Sequence, residues 1–423
     1  MKKLIGTMII LLLLNMFLPA KQIVNASIEE GMKAAFIRNH DLWVKIGEKE
    51  HQVTSGENVQ YPKWSYNGKW LAFQKREDQK SEIWLYQLET RQLFNVIQTE
   101  FPTYRWSPNE NKLAILVGDK LKMIETDKLT LGEKKNQIYK KVFEGVGNFS
   151  WLPKGKEFLI STAPVQVPEG WADIQLLIVP EDISQDMNKV KQLFTLPSQT
   201  EKYFAITTSL FKWSPDGRWI SFLGIPTASL AADVNTLFIL SADGKKLIQV
   251  DEMLNNENWF HWAPDLKYLA YIEGVGRNAT QNKQLKIKKF NKWGMKEASL
   301  TPEGYVDWDF TWRSDRIITI SRAQESDLQL DSAERPLPFL VQIDIKKNRQ
   351  TVLTSPPENF GDFYPVYLRK SSQLSWVRFN HQKAEAWIAS PDGSEAVRWI
   401  ENIDPAPEYY ERWDWPAVIS YYN

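Results

Sequence analysis

The chain has 423 residues, with 52 Lys plus Arg against 52 Asp plus Glu, so its neutral balance gives no reason to expect nucleic acid or an anionic membrane as partner. It contains no cysteine, which excludes disulfides, thiol catalysis and a lipid-bearing cysteine anchor. Aromatic residues make up 13% of the chain and include 19 tryptophans, a load that calls for a large packed interior.

Residues 1–26 carry Lys2 and Lys3, an apolar run from Leu4 to Ala20, and the small-residue end Val24-Asn25-Ala26. This is the pattern of an export signal cleaved after Ala26. The competing reading, a retained anchor, is disfavoured because the run is short for a span of about 20 residues and contains Pro19. Removing Lys2, Lys3 and Lys21 leaves 49 basic against 52 acidic side chains in residues 27–423. Those residues read as one propeller domain, monomeric and with no membrane span of its own.

Three strands come next, at 33–38, 42–46 and 50–54, with no anchor strand before them. An aromatic anchor then recurs at Trp64, Trp106, Trp151, Trp213, Trp262, Trp312 and Tyr367, with spacings of 42, 45, 62, 49, 50 and 55 residues. Seven and nine residues past most anchors lie apolar pairs such as Leu71 with Phe73 and Ile220 with Phe222; the Trp312 copy is one residue short. Third strands such as 237–240 and fourth strands such as 246–250 complete each interval. Four strands per repeat at this period indicate an all-β propeller of antiparallel blades.

The clearest copy is Phe211-Lys-Trp-Ser-Pro-Asp-Gly-Arg-Trp-Ile-Ser-Phe222. Pro215 sets φ for a turn, Asp216 can bond its own backbone, and Gly217 accepts the exit geometry, so two strands meet in a hairpin. Tryptophan followed by Ser-Pro-Asp-Gly, then a basic residue and an apolar strand, resembles the TolB-like propeller family over nearly the whole chain after residue 26. The resemblance implies a propeller and a binding role in the cell envelope. The separate α/β domain that precedes the propeller in TolB has no counterpart here, and no hydrolase domain of the prolyl oligopeptidase kind follows the repeats.

An open ring would leave unpaired edges. Residues 33–54 supply three strands of a blade, and Arg412-Trp413-Asp414-Trp415-Pro416 resembles an anchor strand beyond the seventh copy. A blade shared between the termini follows, giving eight blades, with seven as the alternative.

The survey for chemistry is negative: there is no Gly-x-Ser-x-Gly elbow, no paired histidines at ligand spacing and no Gly-rich phosphate loop. The chain is therefore expected to be non-catalytic, without cofactor or metal. His40, His51, His261 and His381 fall on different kinds of element. Asp216, Asp265 and Asp392 are expected to brace turns rather than hold calcium.

Two features remain. The connections 162–173, 224–235, 273–283 and 322–338 are long, belong to consecutive blades and share one face, which makes them a rim for binding, with Trp171 and Arg277 as its candidate contacts. Just before the anchors, Lys63, Arg105, Lys212 and His261 point to a central channel that would attract an anion, the competing reading being local salt bridges. The function expected is an exported binding scaffold recognising a protein or peptide of the envelope or medium through the rim. The alternative is a carbohydrate-active propeller that uses the channel.

Overall fold

The computed structural model describes residues 32–423 except 78–79, 101, 130–138, 184–185, 265–267, 292–293 and 327–333. Residues 1–26, read as an export signal, Asp265 and part of the 322–338 connection lie outside the described residues.

The Ser-Pro-Asp-Gly chemistry works as the sequence implies. Ser214 Oγ donates to Asp216 Oδ1 at 2.7 Å, the same oxygen accepts Arg218 N–H at 3.0 Å, and Gly217 sits at φ 68°. Ser65 and Asn67 repeat the arrangement at 2.9 and 3.1 Å. Each such turn hands an inner strand to a second strand, and these second strands are buried in runs of four, as at Trp70–Phe73 and Phe158–Ser161. A continuous buried run, rather than an alternating one, means that both faces of the sheet are covered. Every blade is pressed between two others.

Eight four-stranded antiparallel blades form the ring. Blade 1 runs inner to outer through Val59–Trp64, Trp70–Glu77, Lys80–Gln87 and Gln92–Thr99, and six more blades follow in sequence order. In blade 4 the inner strand is broken into Thr207–Thr208 and Lys212–Trp213, both paired with Trp219–Ile225.

Blade 8 closes the ring from both ends of the chain. Its three outer strands are Lys33–Arg38, Asp41–Ile46 and Lys49–Gln52, and its innermost strand is Ile419–Tyr421, in register Phe36 with Ile419 and Ala34 with Tyr421. This corrects the expectation that residues 412–416 supply that strand. Arg412–Trp413 instead pairs with Glu408–Tyr409 in a small hairpin, and a 3-10 turn at Trp415–Ala417 leads from it into the closing strand.

Because the strands alternate in direction, the second-to-third and inter-blade connections emerge on one face, called upper here. The repeated turns lie on the lower face. Asp392 lies in the third-to-fourth turn of blade 7, where its Oδ1 accepts Ser394 N–H at 3.1 Å.

Candidate functional site

The inner ring is held by reciprocal bonds between successive blades. Trp106, Trp151, Trp262 and Trp312 each donate the indole N–H to a main-chain oxygen of the preceding blade, on Lys63, Arg105, Lys212 and His261, at 2.9, 3.1, 3.1 and 3.1 Å. The basic side chains reach the other way. Lys63 Nζ donates to Tyr104 O at 3.2 Å and lies 4.7 Å from the Tyr104 ring centroid; Lys212 Nζ donates to Phe260 O at 3.0 Å and lies 4.4 Å from the Phe260 ring. Arg105 donates to Asn148 Oδ1 at 2.9 Å and to Phe149 O, and its guanidinium is 3.6 Å from Glu257.

Lys63, Arg105, Lys212 and His261 all lie on inner strands, and main-chain carbonyls and aromatic faces of the next blade engage Lys63, Arg105 and Lys212. The salt bridges expected of them reduce to Arg105 with Glu257. Burial pushes the Lys63 amine down to about 8 and that of Lys212 to about 7, against the pull of Glu257 on both. Burial, reinforced by Lys212 at 3.4 Å, holds His261 well below the usual imidazole range.

Blade 4 departs from the pattern. Its inner strand breaks before the anchor, Ser150 Oγ accepts Phe211 N–H at 2.9 Å, and the buried Trp213 indole N–H has no acceptor.

Further round, the inner strands of blades 1, 6 and 7 bulge, with pairing slipping between Gln60 and Lys63, Asp307 and Phe310, and Phe363 and Val366. Tyr61 and Tyr364 occupy these bulges at φ 55° and 50°, each directly before a proline, a conformation disfavoured for a bulky residue. Bulges re-aim side chains. Here Tyr61, Asp309 and Tyr364 turn toward Asp414: Tyr61 OH donates to Asp414 Oδ2 at 2.9 Å, and Trp259 Nε1 donates to Asp309 Oδ1 at 3.0 Å. Burial raises both carboxyls, Asp309 to about 7, with the neighbouring Asp414 adding to the effect. Burial likewise raises both tyrosines.

Residues 404–418 cross over these groups from blade 7 to blade 8 and touch most of the ring. Arg412 Nη1 donates to Asn255 O at 3.2 Å, and Thr280 Oγ1 donates to Glu411 Oε2 at 2.5 Å. Glu411 also pairs with Arg335. Arg277 holds Asp233 through two bonds, one of 2.7 Å, and donates to Tyr410 OH at 3.3 Å. Connections of blades 4, 5 and 6 are thus locked to one crossing segment. The sequence reading missed it by taking its last residues for a strand, although Pro405, Pro407 and Pro416 mark an irregular path.

Of the two candidate rim contacts, Arg277 sits at the centre of this platform. Trp171 is half-buried in a separate two-residue hairpin, 166–167 with 170–171, whose loop is fastened by Ser198 Oγ donating to Trp171 O at 2.6 Å. Arg322, at the edge of the expected rim, is 3% exposed and bonds both oxygens of the buried Asp307, so it belongs to the blade core.

Between the crossing segment and blades 6 and 7 lies a cleft of about 330 Å³ lined by Trp413, His381, Phe379, Glu408, Glu411 and Arg335, among others. A shallower depression of about 690 Å³ borders it, along 352–360. No group of three or more His, Asp or Glu among the described residues is placed to hold a metal ion. No helix among them is long and apolar enough to cross a membrane.

No protein-family model matches the sequence, and comparison with curated proteins finds no match. Solved structures do match. A puromycin hydrolase aligns over 82% of this chain and 54% of its own, at 13% identity and a TM-score of 0.51. A eukaryotic initiation factor aligns over 88% and 97%, at 14% identity and 0.51. TolB from Acinetobacter baumannii aligns more loosely, over 88% and 64%, at 12% identity and 0.38. The chain thus spans between about half and two thirds of the TolB and puromycin hydrolase chains it aligns with.

These likenesses are ones of fold, and the propeller expected from the repeated motif stands. The expectation of a non-catalytic chain does not. An enzyme, puromycin hydrolase, carries this fold across most of the chain, so a propeller that lacks the familiar motifs is not thereby inactive; the likeness itself assigns no activity.

Proposed function

We propose that the protein binds a polypeptide partner on its upper face, on the platform formed by residues 404–418 and the connections of blades 4 to 6. One observation carries the reading. The Arg277–Asp233–Tyr410 and Thr280–Glu411–Arg335 links fix four separate segments relative to one another, and those segments present Tyr409, Tyr410, Leu230 and Val275 at 51%, 40%, 47% and 43% exposure. Large apolar groups held out on a preorganised surface favour association, because little ordering remains to be done on binding. Residues 1–26 support a site of action outside the cytoplasm, in the envelope or medium.

The test is a photo-crosslinking residue at position 410 in cells, introduced both in the wild type and in a variant with serine at 230, 275 and 409. A specific crosslinked polypeptide that the serine variant no longer captures is the expected result. No crosslink, or unchanged capture by a variant that melts like wild type, overturns the proposal.

A second reading rests on the gathering of Tyr61, Tyr364 and Asp309 against Asp414 and Arg412 of the crossing segment, acid and base groups of the kind a carbohydrate-active channel would use. Depolymerisation of an envelope polysaccharide by the wild type, lost in Asp309→Asn, is what that reading requires.

A further inference from the structure

The small hairpin at the centre of the platform has two faces with opposite electrostatics. On one, Tyr409 pairs across the strands with Arg412, and the guanidinium sits 5.4 Å from the tyrosine ring. On the other, Glu408 stands directly opposite Trp413. Side chains at such positions lie about 5 Å apart on the same face of the ladder. That face looks into the cleft of about 330 Å³, where the His381 ring lies 5.5 Å from the indole.

The chain answers the same chemistry elsewhere with its own cations. Arg277 is set between the Asp233 carboxylate and the Tyr410 ring, and Arg412 lies over Tyr409 within the field of Asp309 and Asp414. Ring plus carboxylate is the combination that holds an organic cation best, since the ring face and the anion both attract it. Glu408 with Trp413 is a third such pair, and no Lys or Arg among the described residues lies at ion-pair distance from Glu408 or over the Trp413 ring. The one Lys or Arg lining the cleft among the described residues, Arg335, is engaged by Glu411.

Two further observations point the same way. Burial lowers the affinity of His381 for a proton, so this wall of the cleft adds no positive charge at neutral pH. Among the described residues, the upper-face connections hold 17 acidic and 6 basic side chains, whereas the lower-face connections hold 12 and 15. The neutral chain is therefore polarised, and its upper face attracts cations before contact is made.

We propose that the cleft beside Glu408 and Trp413 receives a lysine or arginine side chain of the polypeptide partner, its alkyl stem against the indole and its charged head on the Glu408 carboxylate. This rests on the upper face being the binding surface and adds the chemistry of what it selects.

The test uses the full chain and three short peptides alike except at one central position, which carries lysine, norleucine or glutamate, titrated by calorimetry at low and physiological salt. Tightest binding of the lysine peptide is expected, weakened roughly tenfold in Glu408→Gln and weakened by salt. The amide that replaces the carboxylate keeps an oxygen to accept the Glu411 N–H, so the hairpin should survive and the variant should melt like wild type. Equal binding of the norleucine or glutamate peptide, or undiminished lysine binding by Glu408→Gln, overturns the proposal, as does the absence of binding by all three. The crosslink at position 410 is scored separately: a crosslinked partner together with failure of the peptides refutes the cation and leaves the surface.

Discussion

Around the channel, one tryptophan after another donates to a main-chain oxygen of the blade before it. On the upper face, the Arg277 side chain bonds both Asp233 and Tyr410, beside two main-chain bonds, Gly276 N–H to Asp233 O at 2.9 Å and Ala279 N–H to Tyr410 O at 3.3 Å. The difference is between bonds that require only an anchor and a backbone, and bonds that require a particular partner. The first kind can be repeated blade after blade at a fixed offset. The second occurs once, in segments free to differ from copy to copy. The ring should therefore carry stability, and the platform should carry selectivity.

The strongest way to break that division is to open the ring. Deleting Ile419–Asn423 removes the inner strand of blade 8 and leaves Lys33–Arg38 with an unpaired edge. Loss of the cooperative melt and aggregation on gel filtration are expected; a stable monomer would show that closure does not hold the ring.

Trp151→Ala comes next. Its ring centroid lies 4.1 Å from that of Phe158, and its N–H bonds Arg105 O, so the loss should be about 3–5 kcal/mol by urea titration. Trp213→Ala sharpens the comparison within the ring. That indole is less buried and bonds nothing, so its cost should fall below that of Trp151 by about 1 kcal/mol, the usual worth of one hydrogen bond. Equal losses would mean that the indole bonds contribute nothing.

Asp309 tests whether the channel is strained by its own polarity. Its carboxyl titrates near 7 folded and near 4 unfolded, so between those values the folded state binds more protons and stability falls as pH rises. Asp309→Asn should remove that fall, on the order of a few kcal/mol at neutral pH, while keeping an acceptor for Trp259. Lys212 works in the opposite window. With its amine at about 7 folded and above 10 unfolded, the unfolded state holds the extra proton, so stability should rise from pH 7 to 10 and Lys212→Met should flatten that rise. Urea midpoints between pH 5 and 10 check both, and parallel profiles for variants and wild type would contradict the burial of these groups.

What was legible in the sequence follows the same division. The anchors and the Ser-Pro-Asp-Gly turns could be read because each obeys a local rule repeated at a fixed offset, and the shared closing blade because three strands within 33–54 lack an inner partner. The aromatic and proline content of Arg412-Trp413-Asp414-Trp415-Pro416 imitated an anchor strand, while the true closing strand, Ile419–Tyr421, has only three residues and no tryptophan. Tyr61-Pro62 and Tyr364-Pro365 did carry a signal, each tyrosine lying three residues before its anchor, but nothing local says that a bulge will turn the side chain inward. Lys212 read as a channel cation open to an anion or a local salt bridge. Its burial depends on the next blade, whose Phe260 and His261 lie 48 and 49 residues away.

The smallest effect is expected at Arg277. Its guanidinium and the Asp233 carboxylate are each 39% exposed, and a pair so open to water is screened and gains little for the fold. Arg277→Ala should therefore leave the melting temperature within about 2 °C of wild type. It should nonetheless loosen Tyr410 and the 226–234 connection, because Arg277 is the side chain that bonds both and only the main-chain bonds Gly276 N–H to Asp233 O and Ala279 N–H to Tyr410 O remain. Faster limited proteolysis within 404–418 and weaker partner capture at an unchanged melt are the expected signature. A melting drop comparable with that of Trp151→Ala would place the platform in the stabilising core, and the separation of ring from platform would fail.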